Sequence, residues 1–328
     1  MDKLVAVSFE PVEGAREAIL AQTQGLAAVA FLQDLSPEAR AAAVERADVL
    51  FASHFYAGEI PDSEWSRFRK LRFVQTVYTG VERAPFSLLP EGAVLACNAG
   101  VFAEPLSEQV MLLALACAKR FLPKYDLMKG GTFDRSPTNR LLAGGTCGIV
   151  GFGGIGKAVA KRMSAFGMKI RAVNRSGRTG EPVDWAGTLD RLDEMLPECD
   201  VVVLCLPLTA SSRGLVDGRR LALMKEDAIL VNVGRGSLVV EEDLYHHLVA
   251  HPDFNYGADV WWDEPDADHG FAPRFPFLDL PNVAATPHNG DRIPGIDLEV
   301  TTVAARNIRR FLEGEPPVNV VNASDYTG

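Results

Sequence analysis

Short apolar runs alternate along this chain with longer stretches of helical periodicity. The runs at Leu4 to Phe9, Ala28 to Leu32, Val49 to Ser53, Leu71 to Val77 and Ala93 to Cys97 read as buried strands. Stretches such as Pro37 to Arg46 read as helices between them, and the alternation predicts parallel sheets covered on both faces. After Asn98, Leu106 to Phe121 forms one long helix that is apolar around most of its circumference. It must bury that surface within its own fold or against a second subunit. Lys124 to Asn139 reads as polar and irregular. Strands resume at Thr146 to Val150, Lys169 to Val173, Val201 to Leu206, Ala228 to Val233, Tyr256 to Val260 and Val283 to Ala285, a set of six with crossovers that matches a doubly wound sheet. A helix from about Leu298 to Leu312 follows, and a polar tail begins at Gly314.

The first strand of the second set runs into Gly151-Phe152-Gly153-Gly154-Ile155-Gly156 and then into a helical pattern. This is the dinucleotide fingerprint in its proper context: Gly151 permits the tight turn, Gly153 lets backbone approach a pyrophosphate, and Gly156 lets helix pack on strand. Gly154 and Ile155 open the helix, whose free N–H groups and dipole favour an anion. The next strand ends in Asn174-Arg175-Ser176, where an NAD-binding unit usually carries an acidic residue for the ribose hydroxyls. With Asn174 in that place nothing repels a 2′-phosphate, and Arg175 is at hand to bind one. NADP is therefore the expected cofactor, with NAD possible. The other reading takes Arg175 and Arg178 as solvated loop cations.

One helix cannot form a domain, so the last helix should return to the N-terminal unit. The expected architecture is α/β with two Rossmann-like domains and doubly wound parallel sheets. The cofactor domain, residues 99–290, would be inserted in a flavodoxin-like substrate domain made of residues 1–98 and 291–328, with the ligand in the cleft between them.

Composition narrows the partners. The net charge is −10 with no basic block, which argues against nucleic acid. The chain enters a strand pattern at once, and its apolar runs fall short of the ~18 residues a spanning helix needs. A cytoplasmic location with no membrane partner is expected. Five cysteines without Cys-x-x-Cys or Cys/His pairing suggest small buried hydrophobes, with neither disulfides nor a metal.

Three later strands each end in a chemically useful residue: Asn232-Val233-Gly234-Arg235-Gly236, Asp259-Val260-Trp261-Trp262-Asp263-Glu264-Pro265, and Thr286-Pro287-His288-Asn289-Gly290. Strand carboxyl ends are where such sheets bind ligands. With the glycine turn ahead of them, these segments resemble the D-isomer-specific 2-hydroxyacid dehydrogenase family, which includes glyoxylate/hydroxypyruvate reductases, phosphoglycerate dehydrogenases and formate dehydrogenases. The resemblance implies that Arg235 binds the substrate carboxylate and polarises the keto oxygen, that His288 protonates that oxygen, and that Glu264 orients and charges the imidazole. It also places the cofactor against Leu206, Pro207, Val233, Gly234, Arg235, Asp259, His288 and Gly290, in addition to the glycine turn and Asn174 to Ser176. The chemistry agrees, since a carboxylate neighbour raises a histidine toward working pH and an arginine fork faces carboxylate and carbonyl together.

In the N-terminal unit Tyr78, Thr79 and Gly80 resemble the family loop that offers N–H groups to the substrate carboxylate. The same residues also read as a strand-ending turn that needs Gly80 for positive φ. Asn98 to Glu108 resembles the family's hinge and the start of a dimer helix, which implies a homodimer. His246 and His247 lie in a charged helix and are expected to face solvent; His54, His251 and His269 have no comparable context. Trp261 and Trp262 read as packing residues or site walls. Glu82 and Asp291 depart from the family pattern. Formate dehydrogenases carry Gln where Glu264 stands, so Glu264 favours proton-coupled hydroxy acid chemistry. The expected activity is reduction of a small 2-oxo acid of the glyoxylate, hydroxypyruvate or pyruvate type. An NAD enzyme resembling phosphoglycerate dehydrogenase, or a nucleotide-sensing protein resembling a corepressor, are the alternatives.

Overall fold

The computed structural model describes residues 3–55, 59–265 and 270–327. The chain forms two compact units, Met1–Val101 with Ile293–Gly328, and Phe102–Arg292.

In the first unit, β1 (Leu4–Val7), β2 (Ala28–Phe31), β3 (Val49–Ala52), β4 (Phe73–Thr76) and β5 (Val94–Ala96) form a parallel sheet of order β2-β1-β3-β4-β5. That order is the flavodoxin-like one. Helices α1 (Ala15–Thr23), α2 (Pro37–Arg46) and α3 (Asp62–Trp65) belong to it. α2 starts where it does because the Ser36 hydroxyl accepts from Ala39 N and Pro37 takes the first turn. The last helix, α10 (Ile296–Leu312), packs on α1 and β4. The tail is ordered backbone and does not end as a merely polar extension. Val321 N donates to Leu95 O at 2.8 Å and Cys97 N to Asn319 O at 3.1 Å, while the Asn307 amide holds Val318 through both N–H and C=O. The N–H and C=O groups along the β5 edge need partners, and the tail supplies them.

The second unit opens with α4 (Ala103–Ala118) and α5 (Phe121–Lys129). Its elements continue as β6 (Thr146–Val150), α6 (Gly154–Ala165), β7 (Lys169–Val173), β8 (Trp185–Gly187), α7 (Leu192–Met195), β9 (Val201–Leu204), α8 (Gly218–Leu221), β10 (Ile229–Asn232), α9 (Glu241–Ala250), β11 (Asn255–Ala258) and β12 (Val283–Ala285). The parallel sheet runs β12-β11-β10-β9-β6-β7-β8, the classic nucleotide-binding order with one further strand and its switch point between β6 and β9. Val202 and Leu204 of β9 pack on one face while Val201 and Val203 pack on the other. This is the two-residue period of a strand buried on both sides.

Three expectations need correction here. The helix read as Leu106 to Phe121 begins at Ala103 and stops at Ala118, because Arg120 takes a left-handed φ of 48°. The stretch read as irregular from Lys124 holds most of α5, which has no buried residue and so carries no amphipathic signal. β8 escaped notice because three residues, Trp185-Ala186-Gly187, are too few to show a period. α4 lies against α6, β10, β11 and β12. Gly257 admits it, since a Cβ there would stand 2.9 Å from Leu113 Cβ.

All five cysteines are free thiols. Burial pushes Cys117 and Cys205 up to about 12, as inert core thiols require. Among the described residues no helix is long and apolar enough to cross a membrane, and no cluster of three or more His, Cys, Asp or Glu is poised to hold a metal.

Candidate active site

The glycine turn follows β6 at the carboxyl edge of the second sheet. Gly151 has φ 97°, and a Cβ on it would fall 2.8 Å from Leu206 Cβ and N. A Cβ on Gly156 would strike the Gly151 carbonyl and come within 3.2 Å of the Ile149 side chain. These two glycines are demanded by the protein itself. Gly153 differs: a Cβ there would meet nothing within 4 Å, so its open face is the one left for a ligand. Gly153 and Gly154 are exposed. No side chain caps α6, and its first turn carries no carboxylate. This open, anion-favouring helix start fits a dinucleotide pyrophosphate.

After β7, the Asn174 amide is committed to its own turn. Its oxygen accepts from Ser176 N at 3.0 Å and Gly177 N at 2.8 Å, and its nitrogen donates to Arg178 O at 2.8 Å. Asn174 thus shapes a loop whose exposed residues are Arg175, Ser176 and Arg178. Leu206 and Val233 are buried past the ends of β9 and β10, and Pro207 is exposed.

The loop that carries His288 is built on one hub. Asp259 is fully buried just past β11. One of its oxygens accepts from the Thr286 hydroxyl at 2.7 Å, from the Gln109 amide at 3.3 Å and from Asn289 N at 3.3 Å; the other accepts from Gly290 N at 3.2 Å. Gln109 also donates to Thr286 Oγ1 at 2.7 Å. A buried carboxylate needs such a full set of donors. The set clamps the loop after β12 on both sides of His288, whose backbone is held at φ 51°. Gly290 belongs to the clamp too, since a Cβ on it would come within 2.5 Å of Gln109 Cγ.

His288 Nδ1 lies 2.7 Å from Glu264 Oε2, with side chains 39% and 35% exposed. Glu264 Oε1 accepts from Trp261 N at 3.1 Å, which fixes the carboxylate plane. Burial disfavours the imidazolium, but the hydrogen bond and charge of Glu264 outweigh it and hold His288 above its ordinary value. Burial likewise pushes Glu264 up, and the bond to His288 overrides it and holds the carboxyl low. The pairing therefore favours an imidazolium beside a carboxylate.

Arg235 sits in the turn after β10. Gly234 N donates to Asn232 Oδ1 at 3.0 Å and Asn232 Nδ2 to Arg235 O at 2.9 Å. Gly236 is the residue that lets this turn seat: a Cβ on it would strike the Trp261 carbonyl and stand 2.5 Å from Trp262 N. The Arg235 turn and the Trp261 to Glu264 turn are thus in backbone contact. Gln109 escaped the sequence reading, and Thr286 and Gly236 stand in its strand-end segments with no role assigned. Their signals were slight: one amide in an apolar helix, and a glycine beyond the fingerprint.

In the first unit, Tyr78 stacks on His54 with centroids 4.1 Å apart and donates to Asp297 at 3.2 Å. Thr79 Oγ1 donates to Asn98 O at 3.1 Å. Gly80 is not among the residues with positive φ, so the turn does not need glycine for that reason. His246 is exposed, but His247 does not face solvent as expected. It lies on the inner stripe of α9 with Leu244 and Leu248, its ring edge-on to Phe254 at 4.6 Å. Its Nε2 is buried with no hydrogen-bond partner, and burial lowers the imidazole to about 4.

Comparison with known proteins gives this geometry a lineage. The family model for the NAD binding domain of D-isomer specific 2-hydroxyacid dehydrogenases matches residues 111–290. The hydroxypyruvate reductase of Thermotoga maritima is 34% identical over 68% of this chain and 71% of its own length. The glyoxylate reductase of Thermococcus kodakarensis is 31% identical over 77% of both. A solved structure from Pyrobaculum aerophilum, provisionally described as a formate dehydrogenase, superposes with a TM-score of 0.81 at 31% identity, covering 98% of this chain and 99% of that one. The chain belongs to the D-isomer-specific 2-hydroxyacid dehydrogenase family, oxidoreductases that act with a nicotinamide cofactor on small 2-hydroxy or 2-oxo acids.

Proposed function

We propose that this chain reduces 2-oxo acids to 2-hydroxy acids with NADPH, with Arg235, Glu264 and His288 as the reacting side chains. The observation that carries the reading is the 2.7 Å contact between His288 and Glu264. It lies at the same strand-end edge of the sheet as the glycine turn. Because Glu264 accepts from Nδ1–H, the proton available to a substrate is the one on Nε2. His288 donates it to the carbonyl oxygen, and its exposed ring regains a proton from solvent. The Arg235 guanidinium holds the carboxylate and meets the charge that develops on the carbonyl oxygen. The glycine turn, the α6 N-terminus and the loop from Asn174 to Ser176 hold the dinucleotide, and a bound reduced nicotinamide supplies the hydride.

His288→Asn tests the assignment. The variant should lose at least about a hundredfold in kcat for 2-oxo acid reduction while keeping its affinity for NADPH, as loss of a general acid requires. Turnover near the wild-type rate would sink it.

The preference for NADP rests on Asn174 in place of a carboxylate and on the exposed Arg175 and Arg178. Charge-assisted bonds to a 2′-phosphate should make kcat/KM at least about tenfold higher with NADPH than with NADH. A preference for NADH in side-by-side kinetics would overturn this part alone. A homodimer is supported by apolar surface on the second unit, where Leu112, Tyr125, Phe133 and Leu141 are 56%, 56%, 78% and 74% exposed. Light scattering that returns one chain's mass at micromolar concentration would count against it.

A further inference from the structure

An open cavity of about 490 Å³ lies beside the acid–base pair, wholly within the second unit. Glu264 and His288 form part of its wall, and apart from Thr286 the rest is mostly apolar: Trp261, Phe271, Leu278, Pro265, Pro287 and Ala285. The volume is that of an ordinary small-molecule site. Two of these walls are unusual for a surface, with Phe271 41% and Leu278 59% exposed. Clustered apolar area left to water beside a reactive pair is area that a ligand can cover.

The polar atoms of the lining are already committed. Trp261 Nε1 donates to Thr286 O at 3.1 Å, so the indole is locked with its donor satisfied. Phe271 stands edge-on to it at 5.0 Å. Thr286 Oγ1 is bonded to Asp259 and Gln109. Apart from the acid–base pair itself, no lysine, arginine, amide or free hydroxyl is part of the described lining. A hydroxyl, phosphate or second carboxylate placed there would lose water and, among the described residues, find no partner beyond that pair. An alkyl or aryl group would lose nothing.

We propose that this cavity is the side-chain subsite of the enzyme and that it selects 2-oxo acids bearing a branched aliphatic or aromatic group over glyoxylate and hydroxypyruvate. The inference rests on the reductase reading above, and on His288 being both its proton donor and part of this cavity's wall. Glyoxylate has no side chain to fill the cavity, and hydroxypyruvate brings a hydroxyl to an apolar one.

The test is a kinetic panel on the intact protein with glyoxylate, hydroxypyruvate, pyruvate, 4-methyl-2-oxopentanoate and phenylpyruvate, each run with NADPH and with NADH. One methylene in a well-formed apolar pocket is worth about tenfold or more, so kcat/KM for 4-methyl-2-oxopentanoate or phenylpyruvate should exceed that for pyruvate by at least about tenfold. Glyoxylate or hydroxypyruvate turned over as well as the apolar acids would overturn the inference and leave the reductase reading standing. No turnover of any acid would overturn both. Leu278→Glu supplies a second arm at a surface position where folding is not at stake. It should lower the ratio of kcat/KM for phenylpyruvate to that for glyoxylate by about tenfold or more, and an unchanged ratio would defeat the proposal.

Discussion

Glu264→Gln isolates the charge that holds His288 protonated. Both Glu264 oxygens are in use, one accepting from Trp261 N at 3.1 Å and the other from His288 Nδ1 at 2.7 Å. Glutamine keeps the shape but has one acceptor oxygen and an NH2 donor. Its amide nitrogen therefore suits a neutral Nδ1 and not a protonated one, and the negative charge is gone. A hydrogen bond between charged partners contributes about 1.5–3 kcal/mol when shielded from water. With side chains 39% and 35% exposed, screening reduces this to about 1–2 kcal/mol, which is about one pH unit in the histidine. The folded value of His288 is raised, and the imidazolium is the competent form for reduction. Activity therefore holds at low pH and falls as pH rises through that raised value. In Glu264→Gln the fall should come about one pH unit earlier, with kcat/KM down by up to about tenfold above it. The assay is kcat/KM for a 2-oxo acid across about pH 5–10 at fixed ionic strength and saturating reduced cofactor. Coincident profiles for the two proteins would refute the view that Glu264 sets the protonation of His288. The same raised value makes the pair stabilise the folded unit below the ordinary histidine range, a contribution lost as pH climbs through the folded value.

Other residues yield narrower tests. Gly236→Ala puts a methyl against the Trp261 carbonyl and Trp262 N; backbone cannot yield as a side chain does, so denaturant unfolding should report at least about 1–3 kcal/mol of lost stability. Asp259→Asn removes one acceptor oxygen and the charge from a fully buried group with four donors. It should cost about 2–4 kcal/mol by urea unfolding and lower kcat with it; wild-type values for both would show that the hub does not hold the His288 loop. His247, lowered to about 4 by burial and by His251, prefers to be neutral when folded. The unfolded chain then binds the extra proton, so stability should fall as pH drops from about 6.5 to about 4, by about 1–3 kcal/mol. His247→Leu should flatten that slope of thermal midpoint against pH, and an unchanged slope would assign it to other groups.

Much of this molecule was legible in the sequence because its strands are buried on both faces. Continuous apolar runs such as Val201 to Leu204 and Ile229 to Val231 announce themselves without alternation. The glycine turn was legible because Gly151 takes a positive φ and Gly156 packs on the Gly151 carbonyl, both demands made within the fingerprint itself. What stayed hidden depends on distance along the chain. Gln109 meets Asp259 across 150 residues, and no pattern near Gln109 points there. The need for Gly236 arises from the Trp261 carbonyl, which only the fold brings close. α5 was missed because it presents all its apolar residues outward, and periodicity reports burial within one chain. His247 was misjudged because charged neighbours coloured a helix whose inner stripe it shares.

The left-handed backbone at His288 has a further consequence for how this site can change over time. Few side chains accept φ near 51°, and asparagine, aspartate and glycine do so most readily. A descendant that no longer needed the proton donor would drift most cheaply to one of those three, and the Asp259 hub would keep the rest of the turn in place. A relative with such a residue here and the glycine turn intact is expected to bind the dinucleotide without reducing anything with it. Backbone geometry thus marks out in advance which substitution separates an enzyme of this architecture from a sensor built on it.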